Sequence, residues 1–172
     1  MTELAYLPDN EYKTDFSAEI VKRKDDYVVL DKTYFYPEGG GQPADRGSFH
    51  FDDEEVTVKD VQKKGGEVRH YVSDQIPGDY DEVHGTIDWT RRKKHMRMHT
   101  AQHILSLVVL QEYGASTAGN QIHADRSRID FAPVNFEKDD LERIEKLANK
   151  LIKKDLPVEK SNMSRDRIES EV

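Results

Sequence analysis

At Trp89 the spacing of apolar residues changes period, and that change constrains the fold more than any other feature of the chain. From about Glu11 to Asp88, short runs alternate apolar and polar residues between turn residues, the pattern of a small antiparallel barrel or sandwich. Beyond Trp89, Met96, Thr100, His103, Leu107 and Leu110 lie at helical spacing. The chain therefore reads as α+β. A small N-terminal antiparallel β-barrel or sandwich is expected over residues 1–90, and an α/β two-layer unit, helices packed on an antiparallel sheet, over residues 91–172.

The clearest strand candidates are Tyr27 to Asp31, Thr33 to Tyr36, Glu55 to Lys59, Glu67 to Val72 and Val83 to Asp88. Gly65 and Gly66 follow Lys63 and Lys64 between two of these runs and mark a hairpin turn, because glycine reaches positive φ without steric cost. In the second half, a helix is predicted from about Arg92 to Glu112, stopped by Gly114, a residue suited to the left-handed conformation past a helix end. Gln121 to Phe131 reads as a strand pair interrupted at Asp125, Arg126 and Ser127. A second helix spans about Lys138 to Lys154, with Leu141, Ile144, Leu147, Ala148, Leu151 and Ile152 as its stripe and Pro157 beyond its end. Glu137, Asp139 and Asp140 favour the positive end of its dipole.

Composition narrows the function classes. Apolar and charged residues each make up 35% of the 172, polar but patterned in blocks, so a globular chain is expected and not a disordered one. No apolar run approaches the ~18 residues of a membrane span, and Met1 to Glu11 lacks the basic and apolar regions of a signal peptide. A cytoplasmic protein is the expectation. The absence of cysteine fits a reducing compartment and means that no thiolate can bind a metal here. Residues 1–90 carry 21 acidic and 10 basic side chains, residues 91–172 carry 13 and 16, so net charge runs from −11 to +3. A second half facing a polyanion would produce that asymmetry, as would solvated helix faces. Nothing in the sequence fixes an oligomeric state.

His99 and His103 are four residues apart on the first predicted helix, so their imidazoles project from one face within reach of a common ion. A solvated or core-packed pair satisfies the same spacing. The zinc-protease signature is excluded in its usual form, because Thr100 stands where that motif has its general-base glutamate. Pro37-Glu-Gly-Gly-Gly-Gln-Pro-Ala-Asp-Arg-Gly47 is the second candidate. Consecutive Gly39, Gly40 and Gly41 let backbone approach a ligand closely, and Gln42 offers both donor and acceptor, although a plain turn between strands accounts for glycines and prolines too.

Taken together, Arg97-Met-His-Thr-Ala-Gln-His-Ile-Leu105, Gly114, Asp125-Arg-Ser-Arg-Ile-Asp-Phe131 and Leu141-Glu-Arg-Ile-Glu145 resemble the editing domain of alanyl-tRNA synthetases. The glycine-rich segment resembles the motif of the longer free-standing alanyl-tRNA editing proteins, the medium type of the AlaX family, so that the resemblance covers nearly the whole chain. It implies a barrel beside a tRNA editing domain, a zinc ion bound in part by His99 and His103, and hydrolysis of serine or glycine from misacylated alanine-specific tRNA. It further implies substrate contacts from Gly39, Gly40, Gly41 and Gln42, from Thr100 and Gln102 within the histidine motif, and from Thr117, placed roughly where the synthetase domain has a pocket glutamine. Arg91, Arg92, Lys93, Lys94 and Arg97 become candidates for phosphate contacts, with a solvated helix end as the competing explanation.

The family's later Cys-x-x-x-His has no counterpart up to Val172, so two of its four zinc ligands are missing and the editing domain is expected to be incomplete, most simply through a shortened chain. His123 is a candidate substitute ligand. Two further readings stand beside the editing enzyme: a tRNA-binding or partner-binding module without catalysis, its metal site incomplete, and an unrelated metal-dependent hydrolase, which the Gly39 to Gln42 motif disfavours. No catalytic residue can be named from the sequence.

Overall fold

The computed structural model describes residues 2–7, 10–76, 78, 80–123 and 125–159. Its first half closes on itself. Strands β2 (Asp15–Arg23), β3 (Tyr27–Leu30), β5 (Gly47–Phe51), β6 (Glu54–Lys64), β7 (Glu67–Val72) and β8 (Glu82–Ile87) form a closed antiparallel barrel in the order β2-β3-β7-β6-β5-β8. Closure pairs every strand on both sides and so leaves no sheet edge. Period-two patterning fills the interior: Phe16 and Ala18 of β2, Phe49 and Phe51 of β5, Val68 and Val72 of β7, and Val83 and Ile87 of β8 all point inward. The predicted hairpin at Gly65 and Gly66 joins β6 to β7.

Two barrel strands, β2 and β5, were not among the expected runs, and one expected strand is absent. Thr33 ends the short β4 (Lys32–Thr33), which pairs in parallel with β1 (Glu3–Leu4), and the chain from Tyr34 to Tyr36 leaves the sheet. Side chains take the place of a ladder partner there. The Thr33 hydroxyl accepts from the Phe35 N–H at 3.1 Å, and the Asp45 carboxylate accepts from the Tyr36 N–H at 2.6 Å. Phe35 turns into the barrel centre, edge-on to Phe49 and to His70.

Helix α1 (Trp89–Tyr113) starts two residues after β8, with Asp88 as its N-cap, the carboxylate accepting from the Arg91 N–H at 3.0 Å. It ends at Gly114, whose φ of 64° is the left-handed conformation expected there. Strands β9 (Ser116–Ile122) and β10 (Ser127–Ala132) form the predicted hairpin, longer than the sequence indicated, and α2 (Lys138–Ile152) follows. Val108, Val109 and Ala115 pack with Ile144 and Ala148 to make a second, smaller core. No helix is long and apolar enough to cross a membrane among the described residues.

The face that α1 buries differs from the one its apolar spacing marks. Leu107 and Leu110 are 45% and 52% exposed, whereas Arg92, His95 and Gln102 are buried. The reason is an ion pair. Arg92 is 2% exposed and clasps the fully buried Asp45, and its guanidinium also donates to the carbonyls of Glu11 and Lys13 at 3.1 and 3.2 Å and to that of Tyr34. Four barrel-side acceptors thus set the rotation of the helix at its first turn.

Candidate editing site at the seam

The glycine motif and the histidine motif meet. Gly39 and Gln42 exchange backbone hydrogen bonds at 3.1 and 2.9 Å, closing a tight turn in which Gly40 and Gly41 have φ of 58° and 77°. A Cβ on Gly41 would stand 2.2 Å from Asn120 Oδ1, and one on Gly40 would stand 3.8 Å from the His99 ring, so the turn lies directly against the helix and the hairpin. Tyr36 donates from its hydroxyl to the Gly39 carbonyl at 3.1 Å, and the Ile122 N–H donates to the Gly41 carbonyl at 2.8 Å. Burial first, then the Asp45 carboxylate, pushes the Tyr36 hydroxyl above its usual range, which keeps it a donor.

His99 and His103 lie ring on ring, with centroids 5.0 Å apart and planes 16° from parallel. His99 is half-buried and His103 exposed. Gln42 Oε1 sits 2.9 Å from His99 Nδ1. An amide oxygen only accepts, so Nδ1 carries the proton and Nε2 is the nitrogen with a lone pair for coordination. This geometry suits a metal-binding imidazole, whose second nitrogen is normally held by an oxygen of the protein. Two imidazoles nonetheless supply half of the four positions of tetrahedral zinc. Among the described residues no group of three or more His, Cys, Asp or Glu side chains is placed to hold a metal, so His123 does not join the pair.

Several sequence-based assignments change once placed. Gln42 is buried and its amide oxygen accepts from His99, so that it positions the ring of that histidine. Gln102 is buried as well, its amide donating to Ser106 Oγ at 3.2 Å while its oxygen accepts from Asn120 Nδ2 at 3.1 Å. Thr117 is exposed, with its hydroxyl 2.7 Å from that of Ser106. Thr100 is half-buried. Arg92 is withdrawn from the phosphate-contact candidates, because its guanidinium is buried against Asp45. Lys93, Lys94 and Arg97 are exposed and Arg91 is half-buried.

Asn120, Ser106 and Asp45 were missed. Asn120 bridges the Gly40 carbonyl, at 3.3 Å, and Gln102, tying the turn to the helix through the hairpin. Only the four-residue spacing of Gln102 and Ser106 on the helix hinted at a pair.

Between the glycine turn, the first turns of α1 and the hairpin lies a cleft of about 1020 Å³, lined by Arg46, Arg91, His95, Asn120, His123 and Arg128 among others. Neither His99 nor His103 is among its lining residues, although Gly39 and Gly41 of the turn that meets His99 are.

The family model described as tRNA synthetases class II (A) matches residues 5–91, which include the barrel and the glycine turn. The alanyl-tRNA editing protein AlaX-M of Methanosarcina acetivorans is 42% identical, the match covering 100% of this chain and 74% of the relative. AlaX-L of Pyrococcus horikoshii is 43% identical over 92% of this chain and 40% of its own length. The alanine–tRNA ligase of Methanopyrus kandleri is 41% identical over 98% of this chain, which spans 19% of that enzyme. The chain belongs to the family of alanyl-tRNA editing proteins.

Proposed function

We propose that this protein is a cytoplasmic trans-editing enzyme that hydrolyses the ester joining serine or glycine to alanine-specific tRNA. The observation that carries the reading is the contact between its two motifs: Gln42 of the glycine turn fixes the ring of His99, four residues from the stacked His103. Zinc, when bound by these two imidazoles and further donors, would act as a Lewis acid toward the ester or hold the substrate in place. The chain's own residues supply the rest. Gln42 sets the tautomer and orientation of His99, and the Cβ-free turn lets backbone approach the aminoacyl end. The neighbouring hydroxyls of Ser106 and Thr117 can bond the hydroxyl of a seryl group, which is one of the few features separating it from alanine. Lys93, Lys94 and Arg97 offer exposed cations for phosphates.

A second reading, a tRNA-binding module without catalysis, is favoured by the count of two metal donors among the described residues. Incubating the zinc-loaded full chain with seryl-tRNA separates the two. Release of serine that disappears in His99→Ala and His103→Ala supports editing. Intact tRNA binding with no zinc uptake and no serine release establishes the binding module instead.

A further inference from the structure

Two glycine turns in this protein share a backbone and differ in their surroundings. Gly40 and Gly41 have φ of 58° and 77°, Gly65 and Gly66 φ of 60° and 78°, so in each two-residue turn both central residues are left-handed. The Gly65 and Gly66 turn stands open: a Cβ on Gly66 would meet nothing within 4 Å, and one on Gly65 only Arg69. At the other turn every carbonyl is tied to another group. Gly39 accepts from the Tyr36 hydroxyl at 3.1 Å and from the Gln42 N–H at 2.9 Å. Gly40 accepts from Asn120 Nδ2 at 3.3 Å, and Gly41 from the Ile122 N–H at 2.8 Å.

These bonds fix three successive peptide planes and leave two donors over. Gly39 gives its N–H to the Gln42 carbonyl at 3.1 Å, but among the described residues the Gly40 and Gly41 N–H groups have no acceptor, and both residues are exposed. In a planar trans peptide the N–H is directed opposite to the C=O, so each donor is held as firmly as the carbonyl behind it. A Cβ on Gly40 would stand 3.8 Å from His99 Cε1. With bond lengths of about 1.5 Å, the Gly40 nitrogen lies within about 7 Å of that ring atom, an interval that accommodates an ester group.

Ester hydrolysis calls for such donors. A water oxygen bonds to the carbonyl carbon, the π pair of the C=O moves onto its oxygen, and a tetrahedral oxyanion forms. Collapse restores the C=O and breaks the bond to the ribose oxygen. One proton of the water goes to that oxygen and the other to solvent, leaving a ribose hydroxyl and a carboxylate.

We propose that the Gly40 and Gly41 N–H groups are the oxyanion hole of this hydrolysis, so that the turn takes part in catalysis through its backbone. The proposal rests on the editing reading for the ester as substrate. Donors fixed before substrate arrives need no reorganisation, and they act mainly on the charge that develops in the transition state.

The test replaces one glycine at a time by glycolic acid, which turns the N–H into an ester oxygen. In the zinc-loaded full chain acting on seryl-tRNA, the replacement at Gly40 or at Gly41 is expected to lower kcat about 100-fold with KM unchanged. The same replacement at Gly66, at nearly the same φ as Gly41, leaves kcat unchanged. An ester also weakens the carbonyl that precedes it. Tyr36→Phe removes a donor from the Gly39 carbonyl and spares the Gly40 N–H, so it measures that effect and is expected to cost less than about tenfold. Melting temperature and zinc uptake are read for every variant. Full activity after both replacements, a loss that Tyr36→Phe reproduces, or a loss carried by KM or by zinc uptake overturns the proposal. A wild-type chain that releases no serine sinks the editing reading and this one with it. An active chain indifferent to both replacements sinks this one alone.

Discussion

The two halves of the molecule are stabilised in different ways. The barrel buries sixteen residues in one apolar cluster and closes its hydrogen-bond ladder, whereas the helical half buries five and rests on a two-stranded hairpin. Leu141 and Ile152 of α2, like Leu107 and Leu110 of α1, remain largely exposed. Yet the histidine pair is carried by the weaker half. The difference teaches that the site is held by the seam: Arg92 into Asp45, His99 onto Gln42, Asn120 onto Gly40. The barrel is the platform against which a less well-buried helix is registered.

The hardest blow to this arrangement is expected at the clasp. Arg92→Ala leaves Asp45 buried and uncompensated, a change that costs about 3–5 kcal/mol, and urea unfolding of the whole chain should show it. A loss below about 1 kcal/mol would mean that the helix is held by something else. Next in size is acid sensitivity of the barrel. Burial lowers His70 from 6.5 to about 4, so the unfolded chain binds its proton first as pH falls. Stability contributed by the neutral ring is complete above pH 6.5 and declines toward pH 4, by roughly 3 kcal/mol in all. Denaturation midpoints at pH 7 and pH 4.5 check the slope, and His70→Gln should flatten it.

A matched pair of glycines sharpens the contrast further. Gly41 and Gly66 have nearly the same φ, 77° and 78°, but a Cβ on Gly66 meets nothing within 4 Å. Gly66→Ala therefore pays only for the left-handed backbone, about 1–2 kcal/mol. Gly41→Ala adds the collision with Asn120 and is expected to lose deacylation along with stability. Equal effects on activity would detach the turn from the site. Smallest of all, Leu110→Ser on the exposed face of α1 should shift stability by no more than about 0.5 kcal/mol. A larger loss would show that this face is covered.

Much of the barrel was legible because alternation and turn glycines are local properties. The strand expected at Thr33 to Tyr36 failed because Thr33 and Asp45 side chains capture the backbone there, a competition that local propensity does not register. The existence of α1 was readable and its buried face was not. Arg92 and Gln102 look like solvent residues by type, and only the hydrogen-bond partners folded around them make burial tolerable. In the same way His99 and Gln42 could be singled out separately. Their contact, 57 residues apart in the chain, depends on the tertiary seam.

One consequence of the junction between the halves concerns length. Strand β8 ends at Ile87 and α1 begins at Trp89, with Asp88 alone between them, its N–H bound to the Arg46 carbonyl at 2.8 Å. Each residue of an α-helix advances the chain by about 100° around the axis. An insertion or deletion of one residue at Asp88 would therefore turn the histidines a quarter-circle or more away from Gln42 while leaving every motif intact. The number of residues between β8 and the first histidine thus acts as an angle about the helix axis.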